Sequence, residues 1–487
     1  MKKTQHFVTL QPRHTIKEAL ECLNKSGLRC VLIVDSEQKL LGIVTDGDLR
    51  RAMLAKKKLS ERVSSIMNKN PISAPAYTPS AQLLDIMVRH DVLQIPLLDR
   101  EKKVKSLVSL SELKRIPLSS PDITSKEVEI INEVLATPHL SIGPKIKEFE
   151  ERIAAYIGMK YAIAVNSGTS GLHLCIKSLD IKDGDEVITT PFSFIASANC
   201  ILFERAKPVF VDIDENTLCI DAHKIEEKIT KKTKAILPVH IFGHPCEMDT
   251  IINIAKKYRL AVIEDACEAI GAEYKGRRVG SFGEAGVFGF YPNKQITTGE
   301  GGMIVTSDKA MAQLCKSMRN QGRNEGGKGT SYERLGYNYR MNELSAALGV
   351  IQISRIEEII KKRQKVADSY NKWLEQTEGI EIPFVDSRVR MSWFVYVVRL
   401  NEKMFSEKHR DKIVSELGAR GIACTANYFP PIHLEPFYVK KFGYKKGDSP
   451  IAEKVSTHAI ALPFYNNLPD KEIRYICENV EATLKRL

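Results

Sequence analysis

From about residue 116 onward, short apolar runs alternate with longer stretches in which apolar residues recur at helical spacing. The runs predict buried strands, and stretches such as 249–258 and 308–319 predict amphipathic helices. Strands that alternate with helices are typical of a largely parallel sheet with helices on both faces. The pattern therefore predicts an α/β domain with seven strand candidates, at 161–166, 186–191, 208–213, 234–240, 260–265, 285–291 and 302–306.

Polar and aromatic residues gather just after several of these predicted strands. In a parallel sheet, ligands bind beyond the carboxyl ends of the strands, so residues at these ends are expected to share one site. One of them, His240, is either a satisfied core histidine or a part of the site. The residues concerned are 166–169, 192–194, His240, Asp265 and 293–294.

Lys294 and Asp265 have complementary chemistry. Lys294 follows one predicted strand, and Asp265 ends another. An amine can bind the aldehyde of pyridoxal phosphate as a Schiff base, and a carboxylate can keep the pyridine nitrogen of that cofactor protonated. The pair therefore predicts a pyridoxal phosphate site in which Lys294 and Asp265 are the catalytic residues.

The small residues at 167–171 suit a phosphate group. They lie between a predicted strand and a predicted helix, where free amides and the helix dipole attract an anion. Gly168, Thr169 and Ser170 are the candidate phosphate ligands. Phe194 follows another predicted strand, and it either stacks on an aromatic cofactor or belongs to the core.

The first 115 residues contain an internal duplication. The run that begins at Val31 aligns without gaps on the run that begins at Ile95, so that Asp35 matches Asp99. Each copy predicts a helix, a strand, a polar turn, a strand and a second helix. Neither copy is large enough to bury a stable hydrophobic core alone, so the two copies are expected to pack together. The predicted organisation is two repeats, about 1–57 and 58–115, followed by one domain at 116–487.

The duplicated part resembles a CBS (cystathionine-β-synthase-type) domain pair, a module that often binds adenine nucleotides. The family signature Gly-x-x-Thr-x-x-Asp is present as Gly42, Thr45 and Asp48. In the family this threonine and aspartate meet phosphate and ribose hydroxyls, which makes Thr45 and Asp48 candidate regulatory-nucleotide residues. Ser106 and Glu112 replace the glycine and the aspartate in the second copy, so one nucleotide pocket is expected rather than two. A dimerisation or spacer module remains the alternative.

Composition and charge narrow the class of protein. Hydrophobic residues make up 43% and charged residues 27% of the chain, which is typical of a folded protein. The net charge is +12, but the basic residues are dispersed, so we expect attraction of anionic diphosphate metabolites and no nucleic-acid binding. No apolar run reaches membrane-spanning length, so no membrane association is expected. Ten cysteines without a Cys-x-x-Cys pair predict a reduced, cytoplasmic protein with no metal site.

Five motifs follow one another in the second part of the chain. They are Leu-Ser-Ile-Gly-Pro at 140–144, Asn-Ser-Gly-Thr at 166–169, Glu-Asp-Ala-Cys-Glu-Ala-Ile-Gly-Ala at 264–272, the lysine segment at 291–302 and Gly-Tyr-Asn-Tyr-Arg-Met-Asn-Glu at 336–343. In this order they resemble the pyridoxal phosphate-dependent nucleotide-sugar aminotransferases, the DegT-type branch of the fold-type I aminotransferase superfamily. The resemblance implies the fold-type I architecture, with a smaller C-terminal α/β part beside the main sheet.

The resemblance also implies roles for single residues. Lys294 and Asp265 would hold the cofactor as their chemistry predicts, the turn at 167–171 would bind its phosphate, and Phe194 would stack on its ring. In the family, the loop that carries Asn338 crosses from the partner subunit to complete the phosphate site. The resemblance therefore implies a homodimer or a higher homo-oligomer.

Two positions depart from the family pattern, and others are weaker candidates. Gly289 stands where a serine commonly contacts the phosphate, and Glu268 stands where a glutamine or histidine is common. Glu268 is expected beside the cofactor, where a second carboxylate is repulsive unless it is protonated or faces a substrate group. The weaker candidates, for substrate contacts, are His240, Arg340, Tyr428 and His433.

The function that the resemblance implies is transfer of an amino group from glutamate to a nucleotide-linked keto sugar. The cofactor would cycle between pyridoxal phosphate and pyridoxamine phosphate, and a 4-keto-6-deoxyhexose destined for surface polysaccharide would be the acceptor. Two alternatives remain. One is a sugar dehydratase on the same scaffold, although known dehydratases of the family replace the lysine with histidine. The other is a nucleotide-binding regulatory protein with a vestigial enzyme domain.

Overall fold

The computed structural model describes residues 7–26, 29–113, 116–324, 331–426 and 430–487. The chain divides into two compact units. The first comprises Met1–Ile116 and Ser415–Ala423, and the second comprises Pro117–Val414 and Cys424–Leu487. The predicted organisation did not place 415–423 in the first unit. Backbone hydrogen bonds of 2.8 and 3.0 Å join Ile116 to Gly421 and Ala423 and explain this grouping.

The first unit contains two three-stranded sheets, one in each repeat, with strand orders β1-β2-β3 and β4-β5-β6. The elements are β1 (Thr9–Leu10), α1 (Ile16–Ser26), β2 (Cys30–Val34), β3 (Leu40–Thr45), α2 (Asp46–Leu54), β4 (Ala74–Pro75), α3 (Ser80–Arg89), β5 (Gln94–Leu98), β6 (Val104–Ser109) and α4 (Leu110–Leu113).

The two repeats share one register and part of one core. Leu32 pairs with Ile43 in the first copy, and Pro96 pairs with Leu107 at the corresponding positions of the second. Even the irregularity near the end of β2 recurs near the end of β5. Apolar residues of both copies, Leu32 and Leu107 among them, form a common buried cluster. The prediction that the copies pack against each other is confirmed.

The second unit is built around a seven-stranded sheet, with smaller sheets beside it. Its strands are β7 (Tyr161–Val165), β8 (Glu186–Thr189), β9 (Lys207–Phe210), β10 (Thr233–Ile236), β11 (Ala261–Asp265), β12 (Glu273–Tyr274), β13 (Arg277–Arg278), β14 (Ala285–Gly289), β15 (Gly302–Thr306), β16 (Ile380–Glu381), β17 (Val389–Arg390), β18 (Tyr396–Leu400) and β19 (Ala459–Leu462).

The helices of the second unit separate these strands and extend beyond them. None of the helices in the described ranges combines the length and apolar character that crossing a membrane requires. They are α5 (Ser125–Leu135), α6 (Pro144–Ile157), α7 (Gly168–Ser178), α8 (Ala196–Phe203), α9 (Met248–Tyr258), α10 (Lys309–Arg319), α11 (Glu343–Ser354), α12 (Ile356–Leu374), α13 (Glu407–Ala419), α14 (Pro436–Phe442), α15 (Pro450–His458) and α16 (Asp470–Leu484).

The main sheet has the strand order β7-β15-β14-β11-β10-β8-β9 and contains all seven predicted strands. Only β15 runs against its neighbours, so the carboxyl ends of the other six strands lie at one edge. The prediction of a largely parallel sheet is confirmed. The smaller C-terminal part is the sheet β16-β18-β19 with nearby helices, among which α12 packs on α16.

Candidate active site

A cavity of about 600 Å³ lies where β7, β8, β11 and β14 end. Its lining combines small residues, hydroxyls, an amine and the carboxylates of Asp265, Glu268 and Glu300. The residues of the predicted site that line it are Gly168, Thr169, Phe194, Asp265, Glu268 and Lys294, and they are joined by Ser167, Ser193, Ser197, Cys267 and Phe394.

Lys294 stands on a short loop that follows β14 and is anchored in the core on both sides. Phe290 and Ile296 are buried in the main apolar cluster, so the loop has little freedom. The Lys294 side chain is 14% exposed, and its Nζ lies 3.1 Å from Glu268 Oε1. The same Nζ is 3.9 Å from the centre of the Phe394 ring, within cation–π range. The amine therefore faces the cavity between a carboxylate and an aromatic face.

Asp265 is the last residue of β11, and both of its carboxylate oxygens accept hydrogen bonds. Ser197 Oγ donates to Oδ2 at 2.6 Å, and the Cys267 amide donates to Oδ1 at 3.2 Å. Ser193 and Ser197, whose hydroxyls lie 2.7 Å apart, are both buried. Sequence reasoning missed Ser197, although the spacing of one helical turn between the two serines was a signal. The arrangement holds a carboxylate in one orientation at the cavity wall.

The N-terminus of α7 forms the small-residue side of the cavity. Ser167 caps the helix by accepting a 3.1 Å hydrogen bond from the Ser170 amide. Ser170 Oγ donates to Asn166 Oδ1 at 2.7 Å, so that hydroxyl is used inside the cap. Gly168 and Thr169 line the cavity instead. A Cβ at Gly168 would lie 2.6 Å from Cys267 Sγ, so this position accepts no larger side chain without movement.

Glu268 is buried and faces Lys294. Its Oε2 accepts a 3.1 Å hydrogen bond from the Phe242 amide, and its Oε1 contacts the ammonium. Burial raises the pKa of Glu268 above its ordinary value, and Lys294 opposes part of that rise. The family departure at this position therefore places a carboxylate within contact distance of the lysine.

Two phenylalanines complete the aromatic part of the lining. Phe194 is 60% exposed and stands at the cavity wall, where its ring is open to a ligand. Phe394 is buried and lies against the amine. Sequence reasoning missed Phe394 because it belongs to the segment that precedes β18, about 100 residues after Lys294.

Two predicted substrate residues are core histidines, which corrects those predictions. His240 is fully buried, with Nε2 3.1 Å from Glu264 Oε2 and Nδ1 accepting from the Cys246 amide at 3.0 Å. His433 is fully buried and lies 2.9 Å from Glu453 Oε1. In each case a carboxylate from a distant segment binds the ring, and neither ring lines the cavity.

Asn338, Arg340 and Tyr428 lie away from the cavity or outside the described residues. The Asn338 carbonyl accepts a 3.3 Å hydrogen bond from Asn166 Nδ2. Arg340 donates to Asn320 Oδ1 at 3.0 Å and lines a different cavity, also of about 600 Å³, together with further arginines. Tyr428 falls outside the described residues. The role of Asn338 across a subunit boundary stays a prediction.

The lining fits pyridoxal phosphate. Lys294 supplies an amine, Asp265 an oriented carboxylate, and the N-terminus of α7 a place for a phosphate beside a glycine that a Cβ would crowd. When bound, this cofactor supplies an aldehyde for the amine and an electron sink for the reacting carbon. Asp265 would face its pyridine nitrogen, and Gly168 and Thr169 its phosphate.

In the first unit, the signature residues have structural contacts of their own. Thr45 caps α2: its hydroxyl and amide donate to Asp48 Oδ2 at 2.7 and 2.8 Å, and the Asp48 amide donates back to Thr45 Oγ1. A Cβ at Gly42 would lie 2.8 Å from the Asn68 carbonyl. In the second copy the Ser109 amide donates to Glu112, so glutamate serves the cap there.

Comparison with known proteins agrees with both parts of the chain. The profile of the DegT/DnrJ/EryC1/StrS aminotransferase family matches residues 121–481, and the CBS domain profile matches 2–55 and 63–119. The spore coat polysaccharide biosynthesis protein SpsC of Bacillus subtilis is 38% identical over 379 residues, which cover 76% of this chain and 97% of that protein. GDP-perosamine synthase of Escherichia coli O157:H7 is 38% identical over 369 residues, which cover 76% and 98%.

A solved structure extends the comparison to three dimensions. Helicobacter pylori PseC, an aminotransferase involved in the biosynthesis of pseudoaminic acid, matches with a TM-score of 0.73 at 29% identity. The match covers 77% of this chain and 100% of that one. The chain therefore belongs to the DegT/DnrJ/EryC1/StrS aminotransferase family, as a pyridoxal phosphate-dependent sugar aminotransferase that carries a CBS domain pair ahead of its catalytic part.

Proposed function

We propose that this protein transfers the amino group of glutamate to a nucleotide-linked 4-keto-6-deoxyhexose, in the cytoplasm, for the assembly of surface polysaccharide. The observation that carries the proposal is the cavity that joins Lys294, Asp265 and the N-terminus of α7. The names of two relatives support the choice of acceptor, since one acts in spore coat polysaccharide biosynthesis and another is a GDP-perosamine synthase.

The side chains of the cavity divide the work. Asp265 holds the cofactor's pyridine ring, because Ser197 and Cys267 fix both of its oxygens. Lys294 carries the α-proton of glutamate across the cavity as general base and then general acid. Glu268, 3.1 Å from Lys294 Nζ, takes and returns the proton of that amine. The same steps in reverse would deliver the amino group to the keto sugar.

The lysine assignment is tested with Lys294→Ala. In wild type, glutamate is expected to change the visible absorbance of the bound cofactor and to release 2-oxoglutarate, and a keto sugar then restores the absorbance. Lys294→Ala loses the proton carrier, so the rate of 2-oxoglutarate release falls by about 10³-fold or more. Lys256→Ala, on the exposed side of α9, is the matched control and keeps the wild-type rate. A normal rate in Lys294→Ala would refute the assignment.

The same spectrum separates the alternatives. A bound cofactor whose absorbance ignores glutamate favours the dehydratase hypothesis or another amino donor. A chain that binds no cofactor at Lys294 favours the regulatory hypothesis, in which the enzyme domain is vestigial. The 3.1 Å contact between the Lys294 amine and Glu268, in the same cavity as Asp265, supports the aminotransferase over both alternatives.

Two finer proposals concern partners. The CBS profile match supports an adenine nucleotide as a regulatory ligand of the first unit, with Thr45 and Asp48 in its site. The position of Asn338 away from its own cavity supports a homodimer, in which the partner's copy of this residue completes the phosphate site.

A further inference from the structure

Arg363, in the middle of α12, is a buried arginine that does not line the active-site cavity. It is 2% exposed, and its guanidinium donates to three neutral oxygens. Nε donates to the Trp393 carbonyl at 2.5 Å, Nη2 to the Phe394 carbonyl at 2.7 Å, and Nη1 to Asn466 Oδ1 at 2.6 Å. Two of the three acceptors are consecutive carbonyls of the segment that carries Phe394.

That segment, 392–394, is paired with a second irregular segment at 242–243. The Phe394 amide donates to the Phe242 carbonyl at 2.9 Å, and the Ser392 amide donates to the Gly243 carbonyl at 3.1 Å. Phe242 and Trp393 both have φ of +55°, a conformation that costs free energy for residues other than glycine. A conformation of this kind persists where surrounding contacts hold it, and the guanidinium of Arg363 is one such contact.

One of the paired segments carries Phe394, which touches the amine of Lys294, and the other donates a hydrogen bond to Glu268, which also touches it. The Phe394 ring lies 3.9 Å from Nζ. The Phe242 amide, on the other segment, donates to Glu268 Oε2, while Glu268 Oε1 contacts Nζ. A shift of these segments would therefore move the aromatic face and the carboxylate away from the ammonium together.

We infer that Arg363 is a positioning residue for Lys294: it holds the paired segments 242–243 and 392–394 so that Phe394 and Glu268 stay against the amine. This inference rests on the proposed function only in taking Lys294 as the cofactor lysine. Arg363 acts from outside the cavity, through two backbone carbonyls, and touches neither cofactor nor substrate.

The test compares Arg363→Lys with Arg410→Lys. Arg410, in α13, is also buried and donates to a carbonyl, that of Ser456 at 2.7 Å, but it has no contact with the paired segments. A lysine at 363 keeps the charge but cannot reach three acceptors at once. Both variants are expected to unfold at a lower temperature than wild type, so stability alone does not distinguish them.

The deciding readout is the midpoint of Lys294 labelling, defined as the concentration of acetic anhydride that acetylates half of Lys294 at one fixed pH in the cofactor-free protein, measured by peptide mass spectrometry. Arg363→Lys is expected to lower this midpoint concentration by about threefold, because Lys294 loses the aromatic and carboxylate contacts that cover its amine. Arg410→Lys is expected to leave the midpoint unchanged. Equal midpoints in all three proteins would overturn the inference.

A double-mutant cycle tests whether Arg363 acts on Lys294 through Phe394. Phe394→Leu removes the ring and is expected to lower the midpoint by itself, and Arg363→Lys in that background adds less than it does in wild type. Full additivity would show that Arg363 does not act through Phe394. If Arg363→Lys does not fold, Asn466→Ser removes one of the acceptors of the guanidinium and must lower the midpoint in the same direction.

The absorbance of cofactor-loaded protein separates this inference from the proposed function. If Arg363→Lys shifts the labelling midpoint while wild type binds pyridoxal phosphate at Lys294, both stand. If the midpoint shifts but borohydride traps no cofactor on Lys294, the positioning role stands and the proposed function fails.

Discussion

Glu268 lies 3.1 Å from the amine of Lys294, and it differs from Asp265, the other buried carboxylate of the cavity, in what it contacts. Asp265 accepts hydrogen bonds from a hydroxyl and an amide, one at each carboxylate oxygen. Burial raises the pKa of Glu268, with the Lys294 ammonium acting against the rise. Glu268 therefore gains its proton at a higher pH than an ordinary glutamate does.

This difference predicts the effect of Glu268→Gln. In wild type, the rate of the half-reaction with glutamate falls as pH decreases through the raised pKa of Glu268, because the carboxylate form is lost. Glutamine cannot titrate, so the variant loses this acid limb and its plateau rate falls by about 10²-fold. Single-turnover absorbance changes measured across pH give both quantities. Glu402→Gln, at an exposed site, is the control, and an unchanged acid limb in Glu268→Gln would refute the role.

At the residue scale, the sequence predicts the site residues that directly follow a strand. It does not predict those that folding brings to the site from distant segments. Lys294, Asp265 and Gly168 follow strands of one sheet, so their shared site could be expected from the pattern of strands. The place of Phe394 in the site could not be expected from the strands, because its segment reaches the cavity through pairing with 242–243. The sequence leaves His240 open between a core and a site position, because its partner, Glu264, lies 24 residues away and faces it only in the folded chain.

Helix α2 begins with a motif that has a structural role, the helix cap, beside the ligand-binding role proposed for it. Thr45→Val removes the cap and is expected to lower the free energy of unfolding of the first unit by about 1 kcal/mol. Ser109→Ala is its counterpart in the second repeat. Urea unfolding followed by circular dichroism measures both.

The nucleotide hypothesis adds a second expectation for the same pair. Thr45→Val should also weaken binding of AMP in calorimetric titration, whereas Ser109→Ala should not. If the affinities of the two variants for AMP are equal, the threonine acts as a helix cap alone. If wild type binds no AMP, the spacer hypothesis for the CBS pair is favoured.

Most elements of the fold were predictable because their apolar runs are buried in regular strands and helices. The sequence predicts all seven strands of the main sheet. The constant offset between the repeats also predicts the matched registers of β2–β3 and β5–β6. The predicted strand at 234–240 is shorter in the structure and ends at Ile236. Pro238 has no amide hydrogen to donate, so the regular ladder is interrupted there, and an isolated bridge between Val239 and Asp265 follows.

Across the second unit, a buried ionic network ties the start of the domain to the junction of its two long helices. Arg355, between α11 and α12, lies 3.1 Å from Asp122 and 2.7 Å from Glu127. Burial acts to raise the pKa of each carboxyl, but Lys362 and Arg355 at Asp122, and Thr124 and Arg355 at Glu127, lower it below the ordinary value. The network therefore contributes stability at neutral pH, and that contribution is lost as pH falls through the lowered pKa values.

Arg355→Met tests this network. The variant leaves two buried carboxylates without their shared cation, and the expected loss is about 3–5 kcal/mol of unfolding free energy at pH 7. Arg474→Met, which breaks an exposed pair with Glu478, is the control and is expected to cost about 1 kcal/mol or less. Guanidinium unfolding at pH 7 and pH 4 measures both. The difference in unfolding free energy between Arg355→Met and wild type should be smaller at pH 4 than at pH 7. An equal difference at both pH values would contradict the linkage between the network and pH.

Cys267 packs its sulfur between two glycines of the active site, and this makes three positions depend on one another. A Cβ at Gly168 would meet the sulfur at 2.6 Å, and a Cβ at Gly289 would lie 3.3 Å from the cysteine Cβ. Gly289 is the place where a phosphate-binding serine is common in the family. In evolutionary terms the positions are epistatic: a lineage that holds Cys267 must shift this residue slightly to accept a serine at 289, and must shift it further to accept any side chain at 168. The order of substitutions, and not only their sum, is thus constrained by a single cysteine.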